Sequence, residues 1–519
     1  MKIDTYIEKS IDHELSANII DLCPVGALNN KPYRYSARSW EMIQHETIAP
    51  HDCVGSNLYA HVLRGRIKRI VPRENEAINE TWIADRDRFS YEGIYSPERL
   101  KNPKLKVNNE WKDIHWEQAL NIVVEQINSA DKDQISLLAS PSSTTEEFYL
   151  LSKIADGLGV NNLDHRLRRT DFSDQDNDPI APWLGTSISD IESCKSIILI
   201  GSDIRKEAPI IAHRIRKSAL NGSQVSFINS EFSDYFFDVS SYMTDDILES
   251  LCTLVRALKI KLSNGAASIE SSNAKSDDSE AIAKSLSSEG DNLILLGHEA
   301  INHPQSSTIR YLASLIAKAT DSKFGFVTEG SNTIGACLTG ITPHRGMSGA
   351  KRSEPGQNTD TIKECDSKLT LLWNSEPNAD IPNFADKKEN DASVIAFSSH
   401  FTDNFSNIAD LMLPIGTFAE TSGTFINCEG SWQSFNGVAS PVHEARPGWK
   451  VLTVIGDLLK LDDFDFESSL DVLNELREKL GKTATSNNPE KVPMYQMDVI
   501  LRHAPSLQLT PEAQRHSKL

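Results

Sequence analysis

The chain has 519 residues, more than one hydrophobic core usually serves, so about two to four domains are expected. Its formal net charge of -20 provides no basic face for phosphates and excludes nucleic acid as a main partner. No apolar run approaches the ~20 residues of a bilayer crossing, and Met1-Lys2-Ile3-Asp4-Thr5 lacks the apolar core of a secretory signal.

Ile7, Ile11, Leu15 and Ile19 recur every four residues, which predicts a helix over 1–20 feeding a turn at Cys23-Pro24. Residues 46–102 read as a small β-rich module. Its strands are Leu58–Leu63 and Arg66–Val71, joined at Arg64-Gly65 in a tight hairpin. From about residue 112 strands alternate with helices. Leu120, Val123, Val124 and Ile127 form a helical stripe, and Ile135–Ala139 reads as a strand. Thr144-x-x-Glu147 is a capping box opening a helix through Leu158. Ser196–Gly201 is an apolar run of the buried parallel kind, followed by a helix over Glu207–Leu220 with Pro209 in its first turn. Leu293–Gly297, Leu369–Trp373 and Val394–Phe397 repeat the strand type. The alternation predicts parallel sheets covered on both faces. Residues 262–290, rich in Ser, Asn, Asp and Lys, read as a polar linker or insertion, and 461–519 as a C-terminal tail.

Few motifs carry chemistry. No G-x-G-x-x-G follows a strand, the glycines between 325 and 346 lack phosphate-loop order, and no G-x-S-x-G elbow occurs. His298 and His303 lie five apart, a poor metal spacing, and read as surface loop residues. The cysteines are Cys23, Cys53, Cys194, Cys252, Cys337, Cys365 and Cys428. No pair forms C-x-x-C, so the chain holds neither a zinc site nor a complete cluster-binding run. Cys23-Pro24 has the form of a last cubane ligand, because Pro turns the chain away from a cluster. Taken alone, Cys23 offers one bond of the four a cubane requires, and a structural cysteine in a turn is the simpler reading.

Leu22-Cys23-Pro24-Val25-Gly26-Ala27-Leu28, Lys31-Pro32-Tyr33-Arg34 and Ala37-Arg38-Ser39-Trp40-Glu41 resemble the large iron–sulfur subunit of proton-pumping NADH:quinone oxidoreductase, respiratory complex I. The resemblance continues through Arg69–Arg73, Ile78–Ile83 and Asp85–Phe89. It returns at Gly201–Pro209, Ala409–Pro414 and Thr417–Gly430 in blocks shared with molybdopterin oxidoreductases. It implies an α/β fold of molybdopterin-oxidoreductase-like parallel sheets covered by helices, behind a small β-rich iron–sulfur-type module. The implied parts are 1–45, the end of a ferredoxin-like iron–sulfur region; 46–102, a 4Fe–4S module of the molybdopterin-enzyme type; and 103–460, the α/β domains.

The resemblance makes Cys23 the fourth ligand of a 4Fe–4S cluster. Its other ligands, and a 2Fe–2S cluster, belong to a region expected before Met1, so the chain is read as N-terminally truncated. The C-x-x-x-C pair of a further cubane falls on Asp52 and Ser56 and its distal cysteine on Ala84, with Cys53 one place off the pattern, so that cluster is expected to be lost. The family's molybdenum ligand falls on Thr170, beside Arg166, Arg168 and Arg169; no molybdenum is expected, and these arginines read as solvated or interface charges. The implied function is electron transfer from NADH through iron–sulfur clusters to quinone, coupled to proton translocation. The implied partners are peripheral-arm subunits of complex I, with membrane contact only through the complex. The implied place is the cytoplasmic face of the bacterial inner membrane or the mitochondrial matrix side, and the chain alone is expected to be inactive. The rival readings are a cofactor-free assembly scaffold and an active molybdopterin oxidoreductase.

Overall fold

The structure, a computed structural model, describes residues 13–260, 277–362, 367–384 and 392–481. The chain divides into two units, Met1–Leu476 and Arg477–Leu519; the elements below belong to the first, apart from the last turn of the final helix.

The small module is a three-stranded antiparallel sheet of β1 (Ile43–Ile48), β2 (Asn57–Leu63) and β3 (Arg66–Pro72). Arg64 and Gly65 both take positive φ, 52° and 75°, the two left-handed residues of a hairpin turn matched to strand twist. Alternation along β2 buries Leu58, Ala60 and Val62, and a bulge in its pairing with β3 brings Ile67 and Ile70, three apart, to the same face, against Ile83, Tyr91 and Ile94.

Two α/β sheets follow. The seven-stranded one contains β4 (Lys104–Val107), β5 (Glu110–Asp113), β6 (Ile135–Ala139) and β7 (Leu163–Asp164). The chain then builds a five-stranded parallel sheet from β8 (Ser196–Ile200), β9 (Gln224–Ile228), β10 (Ser241–Met243), β11 (Asn292–Leu296) and β12 (Lys323–Phe326). It returns to the first sheet with β13 (Leu369–Trp373), β14 (Ser393–Ser398) and β15 (Leu411–Pro414), and closes on the hairpin β16 (Gly423–Ile426) and β17 (Trp432–Phe435). The orders are β5-β4-β15-β14-β13-β6-β7 and β10-β9-β8-β11-β12. Strand order reverses beside β6 and β13 in one sheet and beside β8 and β11 in the other. Open α/β sheets bind ligands at such crevices.

The five-stranded sheet is buried on both faces. Ile197, Leu199, Leu293 and Leu295 join one core, while Ile198, Ile200, Ile294 and Leu296 join another. The first core also takes Cys53, Val54 and Ile78 from the small module and Cys428 from beyond β16, so the module is packed on this sheet.

Several expectations change. Residues 1–12 of the expected amphipathic helix lie outside the described residues. Nearer Cys23 the chain forms a 3-10 turn, Ser16–Asn18, and a one-turn helix, Ile19–Leu22. The helix expected over Glu207–Leu220 is broken at Ala208 (φ -143°, ψ 81°) into Ile204–Glu207 and Pro209–Leu220. Pro209 has no amide hydrogen to continue the first piece and suits the first turn of the second. The linker expected at 262–290 contains helix Asp277–Leu286, whose Ile282, Ala283 and Leu286 enter the sheet core; residues 261–276 lie outside the described ones. The tail expected from 461 contains helix Ser469–Gly481, with Val472, Leu473 and Leu476 buried. Glu475 accepts hydrogen bonds from Tyr149 (2.5 Å) and Lys153 (3.0 Å) of helix Thr145–Leu158. Residues 482–519 lie outside the described ones.

Candidate functional site

Cys23 caps the one-turn helix Ile19–Leu22, and the chain folds back around its sulfur through Gly26 (φ 66°). The Leu28 amide donates to Cys23 Sγ at 3.4 Å. This bond, followed by those from Val25, Ala27 and Gly26, holds the thiol below its ordinary pKa. Amides converging on sulfur favour its anion, the form that binds metal. The turn is anchored from Asp85-Arg86-Asp87-Arg88. Asp85 accepts from Ser16 Oγ (2.7 Å) and the Ala17 amide (2.9 Å). The buried Arg88 guanidinium donates to Asp21 Oδ2 (2.5 Å) and Asn18 Oδ1 (3.1 Å). Leu22 and Val25, its sequence neighbours, stand exposed, as do Tyr35 and Trp40 further along the chain.

The loop at 49–56 is built in the opposite way. Ala49, Asp52, Ser56 and Ala84 are all buried. Asp52 Oδ2 accepts from Arg86 Nη2 at 2.6 Å and Oδ1 from the Val54 amide at 3.0 Å. Arg86 also donates to the carbonyls of Lys206 (2.9 Å) and Glu207 (2.7 Å), where the helix breaks. Burial opposes the Arg86 charge, but Asp52 raises its pKa overall. Beside this pair Asp87 is buried; burial first, then the Asp52 charge, push its pKa well up, opposed by Arg86 and the Ala84 amide. Burial keeps His51 neutral, with its pKa down to about 4. Cys53 faces Cys428: the Cys428 amide donates to the Cys53 carbonyl at 2.7 Å. A hydrogen bond between the thiols, then burial, raise the Cys428 pKa. Gly55 (φ 70°) packs so closely that a Cβ there would lie 1.9 Å from Gln433 Oε1.

At the β8–β11 reversal the expected ligand crevice is filled by the protein itself. A Cβ on Gly201 would lie 2.4 Å from the Ala300 nitrogen. Glu207 accepts from Ser202 Oγ (2.7 Å) and the Asp203 amide (3.1 Å), taking the place a ligand's anionic group would occupy. Burial raises its pKa, opposed by His298. His298 therefore starts helix His298–Asn302 against Glu207 instead of lying in a surface loop.

Beyond the ends of β7, β11 and β12 lies a cavity of about 120 Å³. Arg166, Arg168 and Arg169 line it; Arg168 is the partly solvated one, while the side chains of Arg166 and Arg169 are largely buried. Arg166 pairs with Asp164 (2.8 Å), Arg168 with Glu329 (3.2 Å) and Asp380 (3.0 Å), and Arg169 with Asp178 (2.5 Å). Arg310 from helix Ser306–Ala319 pairs with Asp174 (2.7 Å) and with Asp178. Thr170 donates its hydroxyl to the Asn302 carbonyl at 3.0 Å. Cys337 is also in the wall, its thiol pushed up to about 12 by burial.

The family profile for molybdopterin oxidoreductase matches residues 99–458. The chain belongs to the molybdopterin oxidoreductase family. Within this molybdopterin oxidoreductase family member, a profile described as the NADH-ubiquinone oxidoreductase NDSU1/NuoG-like 4Fe-4S domain matches 43–92, and one for the ferredoxin-like domain of NADH-quinone oxidoreductase subunit 3 matches 1–29. Its curated relatives include the NADH-ubiquinone oxidoreductase 75 kDa subunit of Reclinomonas americana, 29% identical over 88% of this chain and 63% of the relative. An NADH-quinone oxidoreductase subunit of Rickettsia bellii is 28% identical over 93% and 64%. The 78 kDa mitochondrial NADH-ubiquinone oxidoreductase subunit of Candida albicans is 27% identical over 93% and 61%. The chain thus spans less than two thirds of each of these relatives. Acetylene hydratase from Pelobacter acetylenicus shares the fold, with a TM-score of 0.55 at 11% identity, covering 84% of this chain and 72% of that one.

The residues present do not fit two groups that this family implies. A molybdenum–pterin group would need a metal ligand and free cations. The Thr170 hydroxyl is committed to a carbonyl, four of the cavity's guanidiniums hold carboxylates, and ~120 Å³ is small beside the ~300–1,000 Å³ of ordinary ligand pockets. A cubane at 49–84 would need thiolates, whereas Asp52 there holds Arg86. The Cys23 turn does fit one corner of a cluster. The Arg86 and Arg88 roles were hidden in the sequence, although both lie in the Asp85–Phe89 block that carries the resemblance. Glu207 lies in the Gly201–Pro209 block that carries the resemblance, with its donors Ser202 and Asp203 five and four positions away, whereas Arg310 carried no signal, since its partner Asp174 is fixed only by the tertiary fold.

Proposed function

We propose that this chain works as part of the large iron–sulfur subunit of NADH:quinone oxidoreductase, passing electrons from NADH towards quinone in a reaction coupled to proton translocation. In this reading Cys23 is one ligand of a 4Fe–4S cluster. Its other ligands, and a 2Fe–2S cluster, belong to polypeptide outside these residues. A bound cluster would supply one-electron transfer; the chain holds one iron, hydrogen-bonds the sulfur and sets the distance to neighbours. The observation that carries the reading is the convergence of backbone amides on Cys23 Sγ.

The exposed Leu22, Val25, Tyr35 and Trp40 in this N-terminal part support a seat for another peripheral-arm subunit. The chain is inactive alone and binds no molybdenum. It meets the membrane only through the complex, on the bacterial cytoplasmic or mitochondrial matrix side; among the described residues no helix is long and apolar enough to cross one. Purified complex carrying Cys23→Ser should lose one cubane signal in electron paramagnetic resonance while the others persist. An unchanged spectrum would favour the scaffold reading, which the Arg86–Asp52 filling of the second cluster position supports.

A further inference from the structure

Two cysteines meet across the seam between the small module and the α/β body. Cys53 lies in the 49–56 loop of the module, and Cys428 lies just beyond β16. Both belong to the core that the module shares with the five-stranded sheet. The Cys428 amide donates to the Cys53 carbonyl at 2.7 Å. In antiparallel strands a residue pair bonded through its backbone has Cα atoms about 5.5 Å apart, inside the roughly 4.4–6.8 Å that a disulfide spans. A hydrogen bond also joins the two thiols.

The main chain around both sulfurs is tied down. The Leu184 amide donates to the Cys428 carbonyl at 2.8 Å. Asn427 Nδ2 donates to the Val54 carbonyl at 3.0 Å, and Gln433 Nε2 to the Gly55 carbonyl at 2.8 Å. On the other side of Cys53, Asp52 is fixed by Arg86 at 2.6 Å. Burial alone would account for two cysteines used as small hydrophobes, but it does not require that they bond each other across a seam. Groups held in contact react as though at very high concentration. The two sulfurs are also unequal. Cys428 keeps its proton, held by its bond to Cys53 and then by burial. Cys53 lies close enough to the Arg86 guanidinium for their charges to interact, and a cation beside sulfur favours its attack.

We propose that Cys53 and Cys428 are a dithiol that hydrogen peroxide oxidises to a disulfide, stapling the small module to the α/β body. The Cys53 sulfur attacks one peroxide oxygen: an S–O bond forms, the O–O bond breaks, and water leaves with the thiol proton. The Cys428 sulfur then attacks the sulfenic sulfur: the S–S bond forms, the S–O bond breaks, and a second water leaves with the Cys428 proton. The thiols lose two electrons, which reduce the peroxide to two waters. Neither step involves Cys23 or electron transfer to quinone.

Peptide mapping of the full chain tests it. The native protein is treated with hydrogen peroxide, quenched with catalase, unfolded in acid with fresh N-ethylmaleimide and digested without reduction. The peptides carrying Cys53 and Cys428 should appear joined, two hydrogens lighter than their sum, and dithiothreitol should separate them. Amides of 49–56 should exchange at least about tenfold more slowly in joined chains than in reduced ones. Cys428→Ser should abolish the link and leave Cys53 to pass to the sulfinic acid. Free thiols at both positions after a dose that turns methionines into sulfoxides would overturn the proposal. So would sulfinic acid at Cys53 of the wild type with no link, links to other cysteines instead, a link formed only in chains unfolded beforehand, or equal exchange of 49–56 in joined and reduced chains.

Discussion

Cys23 and the Cys53–Cys428 pair present the same side chain in opposite settings. Around Cys23 backbone amides point at an accessible sulfur and favour the thiolate. Cys53 and Cys428 are buried, at 2% and 0% exposure, in an apolar core, and the Cys428 thiol is held protonated by its bond to Cys53 and by burial. Ligand capacity follows from the donors around sulfur and its access, so cysteine count says little about it. The loop at 49–56 extends the contrast. There the cation Arg86 and the acid Asp52 satisfy each other.

The contrast can be broken at its anchors. The largest effect is expected for Arg88→Met, which strips a buried cation from Asp21 and Asn18. It should cost about 3 kcal/mol by denaturant unfolding and expose the Cys23 turn to hydrogen exchange; unchanged protection there would separate Arg88 from the turn. Asp87→Asn should instead stabilise at pH 7, by on the order of 1–3 kcal/mol. An acid with a raised folded pKa gives stability present below its unfolded pKa, near 3.8, and lost as pH rises through the folded value. The wild type should therefore lose stability upward from about pH 4, and the variant should not. Parallel pH profiles would contradict the uncompensated charge. Cys428→Ala should cost about 1 kcal/mol through the small void it leaves. Cys23→Ala in the isolated chain should change stability by less than about 0.5 kcal/mol, since the half-buried Cys23 joins no apolar core; a larger loss would make Cys23 structural.

Much of the fold was legible because its signals are local. The apolar runs at Ser196–Gly201 and Leu293–Gly297 became the buried parallel strands Ser196–Ile200 and Asn292–Leu296, and Arg64-Gly65 made its hairpin. Thr144 accepts from the Glu147 amide at 3.3 Å, and Glu147 accepts from the Thr144 amide at 3.0 Å, as the capping box required. The misses were tertiary. Asp277–Leu286 looks polar as a composition, yet Ile282 and Leu286 are one helical turn apart and reach the core together. Arg86 bonds carbonyls 120 and 121 positions away, and Arg310 bonds Asp174 across 136. No local pattern announces such pairs.

Alkylation of the native chain with iodoacetamide across a pH series, read cysteine by cysteine by mass spectrometry, tests the central contrast most directly. Cys23 should react with a midpoint below the ordinary thiol value of 9.0, while Cys53 and Cys428 stay unmodified until the chain unfolds. A Cys23 midpoint at or above that value, or Cys428 reacting in step with it, would contradict the account.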